Sequence, residues 1–267
     1  MMQIKTIISC LFFLMMLQGC SKRTLKQKES KINTIVHSKY IPVGYQLEFN
    51  DEFDQLVLDL KKWKYRLGVK SGGGYASKEI EENVYLADGK LIVRGVYKDP
   101  KAEGSNSGGG VISIPHFKYG YYEARVKTQS GAFWHSSFWT YNTKDTKKAT
   151  EIDIFERDSQ YDIPDGIVKI RQNVIQHSSG KPITLKGSIK LPLEFDPSKD
   201  YHIYGMLWEE SSVKFYVDGV LTNTISYPED KYLHDETAIF LSMIARNTAA
   251  ENTACYFDYV RFYSKSN

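Results

Sequence analysis

Cysteine is scarce: three in 267 residues, at positions 10, 20 and 255. The first two lie in an N-terminal segment read below as targeting and tether. Cys255 alone is left in the body of the chain, which excludes an internal disulfide or a cysteine metal cluster there. Within Ala254-Cys255-Tyr256-Phe257 it reads as a buried strand residue behaving as a small hydrophobe. The six histidines show no metal-ligand spacing. Gly72-Gly73-Gly74 and Gly108-Gly109-Gly110 lead into no helix, so a phosphate-binding loop is excluded and both read as turns. No hydrophobic run is long enough to cross a bilayer as a structural helix, Ile7 to Leu17 included. An excess of one charge sign is missing too. The net charge is +3, but the first forty residues carry seven Lys/Arg and one Glu, which leaves the rest at −3. The basic character belongs to the tail, and the remainder offers no electrostatic case for a nucleic-acid partner.

The tail has its own logic. Lys5 precedes the apolar run, which ends Leu17-Gln18-Gly19-Cys20. This resembles the lipobox of bacterial lipoproteins, which implies a signal peptide over 1–19 and acylation of Cys20. Residues 20–40 are polar and rich in Lys and Ser, a flexible tether. The expected location is therefore the bacterial outer membrane, on its periplasmic or cell-surface face, with residues 41–267 as the working domain.

The chain is rich in aromatics, with 19 Tyr, 13 Phe and 4 Trp, and from residue 45 it shows no helical periodicity of any length. Short strands are predicted at 83–86, 91–95, 121–128, 136–141, 151–156, 167–176, 201–208, 213–217, 239–244 and 256–263. Val217-Asp218-Gly219-Val220 predicts a hairpin turn. Many short strands without helices imply an all-β sandwich of two antiparallel sheets, with a concave cleft for a long ligand.

Six residues stand out: Glu151-Ile152-Asp153-Ile154-Phe155-Glu156. Side chains of a strand alternate faces, so Glu151 and Asp153 share one face and Glu156 has the wrong parity. One bulged residue near Ile154-Phe155 would restore it. The glutamates would then sit roughly 13 Å apart at Cα, at about 3.3 Å per residue. Inward-leaning side chains would leave about 5 Å between the carboxyls, the spacing of a retaining glycosidase. A solvated acidic strand is the plain alternative, but like charges on one face are destabilising and call for a reason.

Further landmarks surround the hexapeptide. Phe49-Asn50-Asp51-Glu52-Phe53-Asp54 opens the domain, and Tyr119-Gly120-Tyr121-Tyr122-Glu123-Ala124-Arg125 precedes Phe138-Trp139. Tyr201-His202-Ile203-Tyr204-Gly205, Phe215-Tyr216-Val217-Asp218-Gly219 and Phe257-Asp258-Tyr259-Val260-Arg261-Phe262-Tyr263 follow. In this order, over about residues 45–265, the chain resembles glycoside hydrolase family 16 in its bulged Glu-x-Asp-x-x-Glu form. The resemblance implies a concanavalin-like β-jelly roll and an endo-acting hydrolase that retains anomeric configuration. Glu151 matches the nucleophile, Glu156 the general acid/base, and Asp153 the assisting carboxylate. Three carboxylates so close should share a proton, raising the acid's pKa.

The resemblance also proposes substrate contacts. Trp139 matches the aromatic ring stacked on the sugar beside the cut. Trp134 and His135 lie nearby in opposite directions, so one of the two faces the cleft. Asn83 matches a polar subsite position, His177 the leaving-group side, and Arg171 could pair with a sulfate or carboxylate. No cofactor is required, though a structural calcium near Asp258 is allowed; a monomer is expected. Members cutting β-1,3-glucans usually carry Trp-Pro where this chain has His135-Ser136, and glycines where it has Lys148-Ala149-Thr150. Ser136-Ser137-Phe138 is more similar to agar-, porphyran- and carrageenan-cutting members. Mixed-linkage glucanases normally lack the bulge. The expected substrate is a β-linked galactan, with a β-glucan as the alternative. A transglycosylase would show the same acids; a non-catalytic binding module would have no reason to keep both glutamates.

Overall fold

The computed structural model describes residues 40–72, 74–98, 106–159, 166–179, 181–228, 234–246, 249 and 251–266. The expectations for the signal peptide, Cys20 and most of the tether lie outside them. In chain order the strands are β1 (Tyr45–Asp51), β2 (Trp63–Tyr65), β3 (Gly68–Gly72), β4 (Tyr75–Glu79), β5 (Val84–Ala87) and β6 (Lys90–Gly95). There follow β7 (Ser107–Ser113), β8 (Gly120–Lys127), β9 (Trp134–Tyr141), β10 (Lys148–Asp158), β11 (Lys169–Ser178) and β12 (Lys181–Thr184). The last are β13 (Ile189–Pro192), β14 (His202–Glu209), β15 (Ser212–Val217), β16 (Val220–Ser226), β17 (Ala238–Ala245) and β18 (Thr253–Lys265). A 3-10 turn, Glu81–Asn83, leads into β5.

Two sheets form the sandwich. An eight-stranded sheet runs β16-β15-β14-β8-β18-β6-β5, with β1 also paired to β18. The other, ten-stranded, runs β12-β11-β10-β9-β17-β7-β4-β3, with β13 on β11 and β2 on β7. The long strand β18 serves two partners in tandem: residues 253–257 pair with β6 and 260–265 with β1, while β8 lies on its other edge. All pairings are antiparallel except β4 with β7. At the expected hairpin, Val217 pairs with Val220, and Asp218 and Gly219 both take positive φ, +48° and +78°. That is the backbone a two-residue turn requires to match strand twist.

Alternation builds the core. Along β11 the even residues from Ile170 to Gln176 are buried, while Arg171, Asn173 and His177 on the other face are partly exposed. Phe155 of β10 crosses to the opposite sheet and packs on Tyr204 of β14, ring centroids 4.4 Å apart. Cys255 is free and fully buried, as its strand context predicted, and burial pushes its thiol up to about 12.

Gly108-Gly109-Gly110 is not the turn expected of it; the three lie inside β7. A Cβ on Gly108 would stand 2.1 Å from the Met243 carbonyl oxygen, and one on Gly110 2.6 Å from that of Leu241. Gly108 and Gly110 are there because β17 approaches β7 too closely for side chains, and Gly109 because a Cβ would stand 2.7 Å from Val84.

Candidate active site

Strand β10 carries the expected bulge. Asp153 pairs with Asn173 of β11 and Glu156 with Arg171, so three steps on β10 match two on its neighbour. On the other edge Asp153 pairs with Trp139 and Phe155 with Phe138. Ile154 and Phe155 are both fully buried, two consecutive residues committed to the core. Their burial stabilises by about 1.5–3 kcal/mol each, more than the ladder hydrogen bond a bulge gives up, about 0.5–1.5 kcal/mol. The sequence Ile-Phe therefore sets the kink, and the kink returns Glu156 to the face of Glu151 and Asp153.

All three acids line one cleft of about 200 Å³ on the outer face of the ten-stranded sheet, with Arg66, Lys70, Tyr75, His135, Ser137, Trp139 and Ser242. Each carboxylate has different company. Glu151 accepts from His177 Nε2 at 2.7 Å, and Tyr141 sets its ring edge-on to that imidazole at 5.4 Å. Asp153 is 2% exposed. Burial, with Glu156 and Glu151 beside it, pushes its pKa well above the carboxylate range, against the pull of Asn173 and Arg171. Asn173 Nδ2 bridges the pair, donating to Asp153 Oδ2 at 3.0 Å and to Glu156 Oε2 at 2.8 Å. The other oxygen of Glu156 lies 3.2 Å from Arg171 and 3.3 Å from His135 Nε2.

A fourth acid went unnoticed in the sequence. Asp158 has the parity of Glu156 and faces the same way, 2% exposed. It accepts from His135 Nδ1 at 2.9 Å and from Arg246, whose guanidinium lies 3.8 Å over the Tyr75 ring, and its Oδ2 forms an ion pair with Arg171 at 2.6 Å. Burial alone would raise its pKa, but His135, Arg171 and Arg246 outweigh burial and hold the carboxyl well below its usual range. Continuing the period-two count past the bulge would have found it. Arg66, Tyr75 and Arg246 come from distant segments and left no local signal. Burial pushes Tyr75 up to about 12, with Asp158 adding to the effect.

The expected substrate contacts divide. Trp139 is in the cleft, partly exposed, its indole donating to Ser242 Oγ at 3.2 Å, its ring 4.1 Å from Phe240 and under Arg66 at 5.5 Å. His135, Arg171 and His177 reach the acids. Trp134 does not reach the cleft: it is fully buried, donates to the Glu251 carbonyl at 2.9 Å, and lies where a Cβ on Gly95 would meet it at 2.6 Å. Parity puts it in the core and His135 in the cleft. Asn83 is likewise corrected. At 2% exposure its amide donates to Ser107 Oγ and the Gly108 carbonyl, both at 3.0 Å, so it pins β7 in place of lining a subsite. Asp258, the position allowed for calcium, sits at a bulge of β18 and accepts from Arg125 at 2.7 Å. Among the described residues no three His, Cys, Asp or Glu gather to hold a metal.

A two-sheet β-sandwich with carboxylates ranked along one bulged strand, an aromatic ring facing them from the next, defines the class of polysaccharide-cleaving glycoside hydrolases. The chain belongs to glycoside hydrolase family 16: the family model described as the GH16 domain of β-porphyranases A–D matches residues 45–264. Among curated proteins it is similar to β-porphyranase E of Zobellia galactanivorans, 29% identical over 81% of this chain and 86% of that one. Its fold is similar to that of a κ-carrageenase from the same organism, with TM-score 0.69, 22% identity, and 86% and 100% of the two chains covered. A mixed-linkage-glucan GH16 protein of Bacteroides ovatus gives TM-score 0.70 at 20% identity, covering 80% and 99%. The protein is accordingly an endo-acting glycosidase of a β-linked polysaccharide, with the retaining double displacement of its family.

Proposed function

We propose that the polysaccharide is a β-linked galactan and that Glu151, Glu156 and Asp153 act as nucleophile, acid/base and assisting carboxylate. The observation that carries the galactan reading is the polar floor of the cleft. His135 and Ser137 line it, and His135 stands where members cutting β-1,3-glucans usually present the Trp of a Trp-Pro pair. The similarity to β-porphyranases supports it. Arg66 and Lys70 add cationic groups to the same wall, fit for an anionic substituent such as a sulfate ester.

In the mechanism a sugar ring stacks on Trp139, which is opposite Asp153 across the β9–β10 ladder. Glu156 gives its proton to the glycosidic oxygen as that bond breaks, and Glu151 bonds to the anomeric carbon. Glu156 then takes a proton from the water that displaces Glu151. His177, donating to Glu151, orients the nucleophile. The neutral Asp153 keeps a third negative charge out of the space between the glutamates.

The test is product formation from agarose, porphyran, κ-carrageenan, laminarin and mixed-linkage glucan, with Glu151→Gln as control. Oligosaccharides from a galactan and none from the glucans are expected; products from a glucan alone would overturn the substrate. Attachment to the outer membrane through lipid on Cys20 is part of the proposal, its periplasmic or surface face left to the assay. A Cys20→Ala protein that still partitions with membranes would refute it.

A further inference from the structure

His135 stands between two carboxylates that differ in kind. Asp158, clamped by Arg171 and Arg246, is a permanent anion, and its Oδ1 takes the His135 Nδ1 proton at 2.9 Å. A neutral imidazole so bound presents its Nε2 lone pair to Glu156 Oε1, 3.3 Å away. A protonated one would donate from Nε2 to the ionised carboxylate. The two arrangements differ only in the position of one proton. Asn173 donates to Oε2 at 2.8 Å, and Oε1, with the Arg171 guanidinium at 3.2 Å, is the oxygen that faces the imidazole. Water has little access, since His135 is 5% exposed.

We propose that His135, oriented by Asp158, is the positioning residue of the acid/base, and that in the free enzyme its imidazole and the Glu156 carboxyl hold a single proton between them. This rests on the reading of Glu156 as acid/base. In the first step that proton moves from Glu156 to the leaving glycosidic oxygen as the C–O bond breaks and the Glu151 oxygen bonds to the anomeric carbon. Glu156 is then ionised beside a neutral ring. In the second, water gives a proton to Glu156 as its oxygen takes the anomeric carbon from Glu151, and the shared proton is restored. The groups facing the imidazole are Glu156 and Asp158 on β10, Arg171 on β11, Arg246 beyond β17, and the Tyr75 ring of β4 edge-on at 5.5 Å. Of these Glu156 is the one whose charge changes as sugar is cut.

Two measurements test it. Nitrogen-15 NMR of the His135 ring, assigned through the backbone, is followed from about pH 4 to 9 in wild type and Glu156→Gln. The Nδ1–H tautomer is expected in the neutral ring, with a titration midpoint about one pH unit or more lower in the variant. An Nε2–H tautomer, or midpoints equal within about 0.3 unit, would overturn the proposal. In the second, His135→Gln is expected to move the alkaline limb of the kcat profile down by about one unit. A uniform loss of kcat at every pH would mean a merely structural histidine. The NMR arm needs no substrate, so failure to cut any galactan would sink the proposed function and leave this inference to be judged by the imidazole.

Discussion

Asp158→Asn probes the charge network through stability, because Asp158 reaches the chemistry only through His135, Arg171 and Arg246. Its side chain is 1% exposed and neutralises two guanidiniums, of which Arg246 is 6% exposed. Removing one member of a buried ion pair costs about 3–5 kcal/mol, because the other is left charged and desolvated. Asparagine keeps one acceptor oxygen for His135 and Arg171 is a quarter exposed, so the lower end, about 3 kcal/mol, is the better figure. For a domain of this size that lowers the melting temperature by about 6–12 °C. The pH dependence follows from the sign of the shift. Asp158 is held below the usual carboxylate range when folded. Its contribution is therefore complete above the unfolded value of about 3.9 and is lost as pH falls through the folded one. Calorimetry of wild type and variant should show the gap at about pH 5 and above, narrowing below about pH 4. A variant melting within about 2 °C of wild type at neutral pH would mean that water already solvates the arginines.

Glu151→Gln should lose more than about a thousandfold in turnover while keeping its melting temperature and its affinity for oligosaccharide; calorimetric titration against reducing-sugar release separates the two, and a variant retaining a few per cent of activity is no nucleophile mutant. Asp153→Asn should trade activity for stability. The folded carboxyl is raised, so the stability of its protonated form is full below the unfolded value and is lost as pH rises through the folded one. The variant should gain melting temperature over wild type as pH rises from about 4 to 8, and one that melts lower throughout contradicts the assignment. Trp134→Ala should cost about 3–5 kcal/mol with little change in KM, as expected of a core residue and not of a sugar platform.

The bulge could be read from six residues because its cause is local: two adjacent large apolar side chains that both belong in the core. The same parity rule extended two residues further reaches Asp158, and on β9 it says that Trp134 and His135 face opposite ways. It cannot say which faces out without the register against β10, where His135 pairs with Asp158. Asn83 and the glycines of β7 failed for a different reason. Asn83 looks like a turn or subsite residue until Ser107 and Gly108 are placed beside it. The glycine run looks like a turn until β17 is laid against it. Those contacts join segments that only the folded sheet brings together, as it brings Arg66, Tyr75 and Arg246 to the acids.

The acids of β10 illustrate why position in a strand does not by itself assign a role. On its cleft face the strand offers four carboxyl groups of nearly equal intrinsic strength, and none of the strand's own residues on that face is a cation. The surrounding strands make them different. Asp153 is driven to keep its proton by burial between two glutamates, and Asp158 is driven to lose its own by two arginines and a histidine. Glu151 keeps a single strong donor, His177, and Glu156 meets an imidazole, a guanidinium and an amide at once. A protein that only held a polysaccharide would gain nothing from burying a protonated aspartate between ionisable glutamates, since the same fold would be more stable with an uncharged isostere there. The retained cost of Asp153 is thus an argument for catalysis independent of any family likeness, and the melting temperature of Asp153→Asn measures it directly.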